Sequence, residues 1–185
     1  TDDWPLVGGD NVAGGALATR YLLALGHRRI AYVGDTFAAP HGFSTSEARY
    51  RGFAQALREA DVAVPPEYVR LGTHGREPAY NMAAALFDLP QPPTAIFCMS
   101  DVQALGCLAA ARDAGLRVPE DVSVLGFDDV ELSRLVGLST VRQHLELGGY
   151  LATRYLLSLL DADTPPLDDV PALPPFEVVE RQTTR

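Results

Sequence analysis

Lysine is absent from this chain, so all 15 basic residues are arginine. Against them stand 24 acidic residues, for a net charge of −9. A balance of this sign disfavours sequence-independent affinity for nucleic acid, which needs clustered cations to displace counterions. It equally disfavours an anionic membrane surface. Long apolar runs are missing too. No stretch approaches the roughly 20 residues that cross a bilayer. No export signal is visible, and the chain opens Thr-Asp-Asp-Trp rather than with Met, as expected of a piece of a longer product. Cysteine is scarce. Cys98 and Cys107 have no second Cys or His at metal-ligand spacing, so two buried, reduced thiols in a cytoplasmic protein are expected. HxxxH, HExxH, GxSxG, P-loop and GxGxxG patterns are also lacking. No metal and no cofactor are therefore expected, and no nucleophile stands beside an obvious base.

What is present is ordinary globular material: 185 residues, 47% hydrophobic and 21% charged. Helical and strand signals alternate along it. Asn11 can cap a helix that carries Ala16, Leu17, Tyr21, Leu22 and Leu25 and is closed by Gly26, and a strand at 30–33 follows and ends at Gly34-Asp35. Ser44-x-x-Glu47 reads as a capping box, opening a helix with Tyr50, Phe53, Ala54, Leu57 and Ala60 on one face. A strand at 68–71 and a helix at 78–87 follow. Next come a strand at 94–99, a helix at 102–114, a strand at 122–127, a short segment at 131–135 and a strand at 139–143. A helix at 145–160 repeats Leu147, Leu151, Tyr155 and Leu159 at i+4. The proline-rich stretch 164–175 must be irregular, and 176–179 forms a last strand. Such alternation predicts an α/β fold with a mostly parallel, doubly wound sheet.

Two carboxylates, Asp101 and Asp128, each follow an apolar strand run, with a helix between the two runs. Strand, helix, strand implies a right-handed crossover, which puts both at the carboxyl ends of neighbouring parallel strands. Open α/β sheets bind ligands at that edge. Carboxylates there suit a molecule rich in hydroxyls, since each accepts charge-assisted hydrogen bonds. Ser100 and Asp101 open a helix, where capping is their structural work. Arg49, early in the second helix, offers a planar guanidinium for bidentate contacts. His74 sits in a loop after a strand, where it can stack on a ligand. Asp129 reads either as a turn cap or as a second ligand carboxylate.

Several blocks together resemble the lactose-repressor (LacI/GalR) family of bacterial transcription regulators. ALGHRRIAYVG at 24–34 is similar to the family's LGHRxIAxxG block, and Arg49-x-x-Gly52-Phe53-x-x-Ala56-Leu57 to its RxxGFxxAL block. PTAIF at 93–97, with Ser100-Asp101 and Ala104-Leu105-Gly106, resembles PTAxxxxxDxxAxG. GLRVPEDVSVLGFDD at 115–129 resembles its most recognisable stretch, and ERQTT at 180–184 its terminal block. The blocks lie in family order along nearly the whole chain.

The resemblance implies an effector-sensing domain shaped like a periplasmic binding protein, two α/β lobes closing on a small molecule, most often a sugar or sugar derivative. It implies ligand contacts from Arg49 and Asp128, and from Ser100 with Asp101 at the place where sugar-responsive members carry Asn or Asp. It implies a cleft-lining hinge residue at Gln143, an aromatic stacking position at His74, and loop contacts from Phe43 and Thr45. A homodimer is implied, with DNA bound only through an N-terminal headpiece absent from this chain, and no membrane. The lobes are expected as 1–34 with 144–172, an incomplete N-terminal lobe, and 36–142 with 174–185. One departure falls at the hinge: His144 replaces the proline that commonly follows the glutamine. Two other functions share parts of this pattern. A solute-binding protein of a sugar transporter shares the fold, and a glycosidase would use Asp101 and Asp128 as its carboxylate pair.

Overall fold

The computed structural model describes residues 7–37, 45–160 and 172–185. Within them the chain alternates helix and strand: α1 (Asn11–Ala24), β1 (Ile30–Asp35), α2 (Thr45–Glu59), β2 (Val69–Gly72), α3 (Arg76–Phe87), β3 (Ala95–Cys98), α4 (Asp101–Asp113), β4 (Ser123–Asp128), α5 (Glu131–Leu135), β5 (Ser139–Arg142), α6 (Leu145–Leu160) and β6 (Glu177–Val179). The strands form one sheet in the order β2-β1-β3-β4-β5-β6. The first five run parallel and β6 is antiparallel to β5.

The central strands are continuous apolar runs because both faces of the sheet are covered. Ile30, Tyr32, Phe97, Leu125 and Phe127 point to one face and pack with Leu22 of α1 and Phe53 and Leu57 of α2. Ala31, Val33, Ile96, Cys98 and Val124 point to the other and meet Ala79, Ala83 and Leu86 of α3 and Ala104, Cys107 and Ala110 of α4. Period-two alternation thus assigns each strand residue to one of two cores.

α1 and α2 cross at backbone contact. A Cβ at Gly15 would stand 2.0 Å from the Arg49 carbonyl oxygen, so only glycine permits the approach. That crossing carries Arg49 beneath the carboxyl ends of the strands.

The expected lobes set residues 1–34 apart from 36–142. Within the described residues, β1 lies between β2 and β3 and is buried along almost its whole length. A strand paired on both edges and covered on both faces is central to its sheet, so α1 and β1 belong to the same layers as α2 to α5. α6 differs. None of its residues is buried, and Leu145, Leu156, Leu159 and Leu160 are more than half exposed. Its i+4 apolar stripe has no covering surface among the described residues.

Candidate functional site

The five parallel strands end on one rim. β1 ends at Asp35, β3 leads through Met99 to Ser100, β4 ends at Asp128, and β5 leads to Gln143. A cavity of about 240 Å³ opens there. Of the residues expected to bind ligand, Thr45, Arg49, His74, Ser100 and Asp128 line it. Asp35, Ser46 and Met99 complete the wall. Phe43 lies outside the described residues.

Arg49 is 3% exposed, and each of its three guanidinium nitrogens has a partner. Its Nε donates to Asn11 Oδ1 at 2.9 Å, Nη1 to the Met99 carbonyl, and Nη2 to Gln143 Oε1 at 3.3 Å. The guanidinium lies over the Phe127 ring, 3.6 Å from its centroid, a cation–π contact strengthened by the lack of water. Nη1 stands 3.6 Å from Asp128 Oδ1, which also accepts a hydrogen bond from Gln143 Nε2. Gln143 therefore ties the acid to the base.

Burial opposes both charges. It pushes Asp128 up to about 6, against the pull of Arg49, and Asp101 nearby pushes the same way. Burial also lowers Arg49, against the pull of Asp128. Desolvation exceeds mutual attraction on both sides, as is common when an ion pair leaves water. Hydrogen-bond donors brought by a ligand would relieve the carboxylate.

The backbone aims Asp128. Its φ is +126° and that of Asp129 is +60°, in the region that L residues avoid. Each such residue costs about 1–3 kcal/mol and persists only where its surroundings hold it. Asp129 is held firmly. Arg142 Nε donates to its Oδ2 at 2.7 Å, and Arg181 Nη2 to its Oδ1. Burial raises Asp129, but the two arginines outweigh it and leave the carboxyl below its ordinary range. Asp129 caps no helix, and with Asp128 it lines a second cavity beside Arg142 and His144. It is the anchor that keeps Asp128 turned to the rim.

Asp101 requires a correction. It was expected at the ligand, but it is fully buried beside the sheet and does not line the cavity. Its carboxylate accepts from the Val130 N–H at 3.0 Å, from Ser133 Oγ at 2.6 Å and from Thr140 Oγ1. Gly126 makes room for it, since a Cβ there would sit 2.2 Å from Oδ1. Burial raises its pKa against these hydrogen bonds. Asp101 thus pins α5 and β5 to α4. Ser100 beside it does cap α4, accepting from the Gln103 N–H at 3.3 Å, while facing the cavity.

His74 closes the far side. Its Nδ1 is 3.2 Å from both oxygens of Asp35, which also accepts from Gln103 Nε2 at 2.8 Å. Ser46 Oγ accepts from the Asp35 N–H and donates to its carbonyl, both at 3.0 Å. Asp35 was legible only as the end of a strand, although it holds the same rim position as Asp128. Asn11 was legible only as a helix cap, because its partner Arg49 lies 38 residues on. Among the described residues no group of three metal-ligating side chains occurs.

Residues 19–184 match the periplasmic binding protein-like domain. The transcriptional repressor CytR of Escherichia coli K12 is 40% identical over 141 residues, a stretch covering 75% of this chain and 40% of that protein. The chain therefore spans less than half the length of this curated relative. A LacI-family transcriptional regulatory protein from Corynebacterium glutamicum superposes with a TM-score of 0.80 at 32% identity, covering 96% of this chain and 66% of that one. A LacI-family regulator from Enterococcus faecium, solved with bound ribose, gives 0.76 at 28%, covering 95% and 63%.

Proposed function

Since this chain belongs to the periplasmic-binding-protein-like effector domains of the LacI/GalR regulators, we propose that its rim cleft binds a small, hydroxyl-rich effector, a sugar or sugar derivative. The carrying observation is Asp128, a buried carboxylate on the cavity wall opposed by the stacked Arg49. A carboxylate raised by desolvation gains most from donors, and a polyol supplies several. The relative with ribose supports a ligand of this kind.

Gln143 would report occupancy, because it joins Asp128 to Arg49 in the two-residue link between β5 and α6. In this proposal α6 belongs to a second lobe, and the effector biases the equilibrium between open and closed lobes. Control of DNA follows through a headpiece outside this chain, in a homodimer. The relatives are repressors rather than enzymes, and a hydrolytic pair gains nothing from an Asp101 that is turned inward. A screen of sugars, polyols and nucleosides by thermal shift on the full regulator tests the proposal, because a ligand that prefers the native state raises its melting temperature. At least one sugar should stabilise wild type and fail to stabilise Asp128→Ala. If no member of the panel binds, or if Asp128→Ala responds equally, the proposal fails.

A further inference from the structure

The Asp35–His74 contact lies on the same cavity at the end of β1, with β3 between it and Asp128 at the end of β4. Asp35 is the last residue of β1 and is held rigidly. Ser46 of α2 clamps its backbone on both sides, and the Tyr32 hydroxyl in turn fixes Ser46 by donating to its carbonyl at 2.8 Å. Gln103 of α4, fully buried, donates to the Asp35 carboxylate. That arrangement leaves Gln103 Oε1 buried without a partner among the described residues. A charge-assisted bond is what offsets such a loss.

His74 is tethered much less. Its ring is about half exposed, Gly75 follows it at φ +140°, and the ring's only hydrogen-bond partner among the described residues is the Asp35 carboxylate. A carboxylate only accepts, so it selects the tautomer with the proton on Nδ1. The other nitrogen, Nε2, then carries a lone pair.

We infer that Asp35 is a positioning and specificity residue of the cleft. It holds His74 as the Nδ1–H tautomer, so that Nε2 presents an acceptor to a hydroxyl or amino hydrogen of the ligand. This rests on the reading of the cleft as the effector site. It adds a polarity to that site: the Asp35 wall, like the Asp128 wall, calls for a donor. A ligand with donors at both ends is retained, and one ending in an acceptor is rejected because two lone pairs would face each other.

The test is long-range ¹H–¹⁵N correlation of the imidazole rings at alkaline pH, with His74→Gln to assign the signal. The wild type should show Nδ1–H and a non-protonated Nε2. Asp35→Ala removes the acceptor and should return the ring to the Nε2–H form. Asp35→Asn should retain Nδ1–H, since its amide oxygen still accepts from His74 and its NH₂ finds Gln103 Oε1. A wild type in the Nε2–H form, or an unchanged tautomer in Asp35→Ala, overturns the inference. Titration with ribose then reads the consequence. Asp35→Ala should bind it about five- to tenfold more weakly, the loss of one hydrogen bond, and Asp35→Asn near normally. Equal affinity in wild type and Asp35→Ala also overturns the specificity role. If the tautomers behave as stated and ribose binds neither wild type nor the variants, ribose is excluded as the effector while Asp35 keeps its positioning role.

Discussion

Arg49 and Asp128 face each other at 3.6 Å with Gln143 joined to both. Each is drawn toward its neutral form by burial. The pair is thus held in place by the fold rather than by its own attraction. Substitution at either end should separate binding from stability.

Arg49→Lys keeps the charge but cannot reach Asn11, the Met99 carbonyl and Gln143 together, nor stack flat on Phe127. Stability should fall by about 2 kcal/mol, visible as a lower denaturant midpoint with unchanged slope. Effector affinity should fall as well.

Asp128→Asn should do the opposite to stability. A carboxyl raised to about 6 in the folded chain from 3.8 when unfolded favours the protonated form in the native state. Its stabilising contribution is therefore complete below pH 4 and is lost as pH rises through 6. At pH 8 the ionised group weakens the fold by at most about 3 kcal/mol. The asparagine variant should melt at a higher temperature than wild type at pH 8, and the two should converge near pH 4. Its ligand affinity should drop, the usual trade at a binding site. Melting curves from pH 4 to 8 check the sign.

Asp101→Asn tests the reassignment of that residue. The amide can satisfy only part of what the Val130 N–H and the Ser133 and Thr140 hydroxyls present. Loss of about 2–3 kcal/mol is expected. The folded fraction should bind effector as wild type does, because the side chain does not line the cavity. A selective loss of affinity at full stability would return Asp101 to the ligand.

Most elements were legible because their signals are local. Ser100 caps α4 as its spacing implied. The first helix shows the margin of such reading: Asp10, not Asn11, accepts from the Val12 and Ala13 N–H groups, because Arg49 claims the Asn11 side chain. α3 begins at Arg76, ahead of the expected 78, since proline is tolerated in a first turn where no intrahelical partner is needed. Asp101 and Asp128 look alike in sequence, each following a buried strand. Which one faces solvent depends on Gly126 and on the Asp129 clamp, both set by contacts distant along the chain. Asp35 was overlooked for the converse reason: its partners, Gln103 and His74, come from other elements.

Calorimetry of effector binding near pH 6 to wild type and to His74→Gln, repeated in buffers of different ionisation enthalpy, measures the proton balance at Asp128. A ligand that donates to this carboxylate favours its ionised form, so binding should release protons at pH 6, and affinity should strengthen from pH 5 to 7. Binding with no proton release, or with uptake, would contradict an effector held by the Asp128 carboxylate.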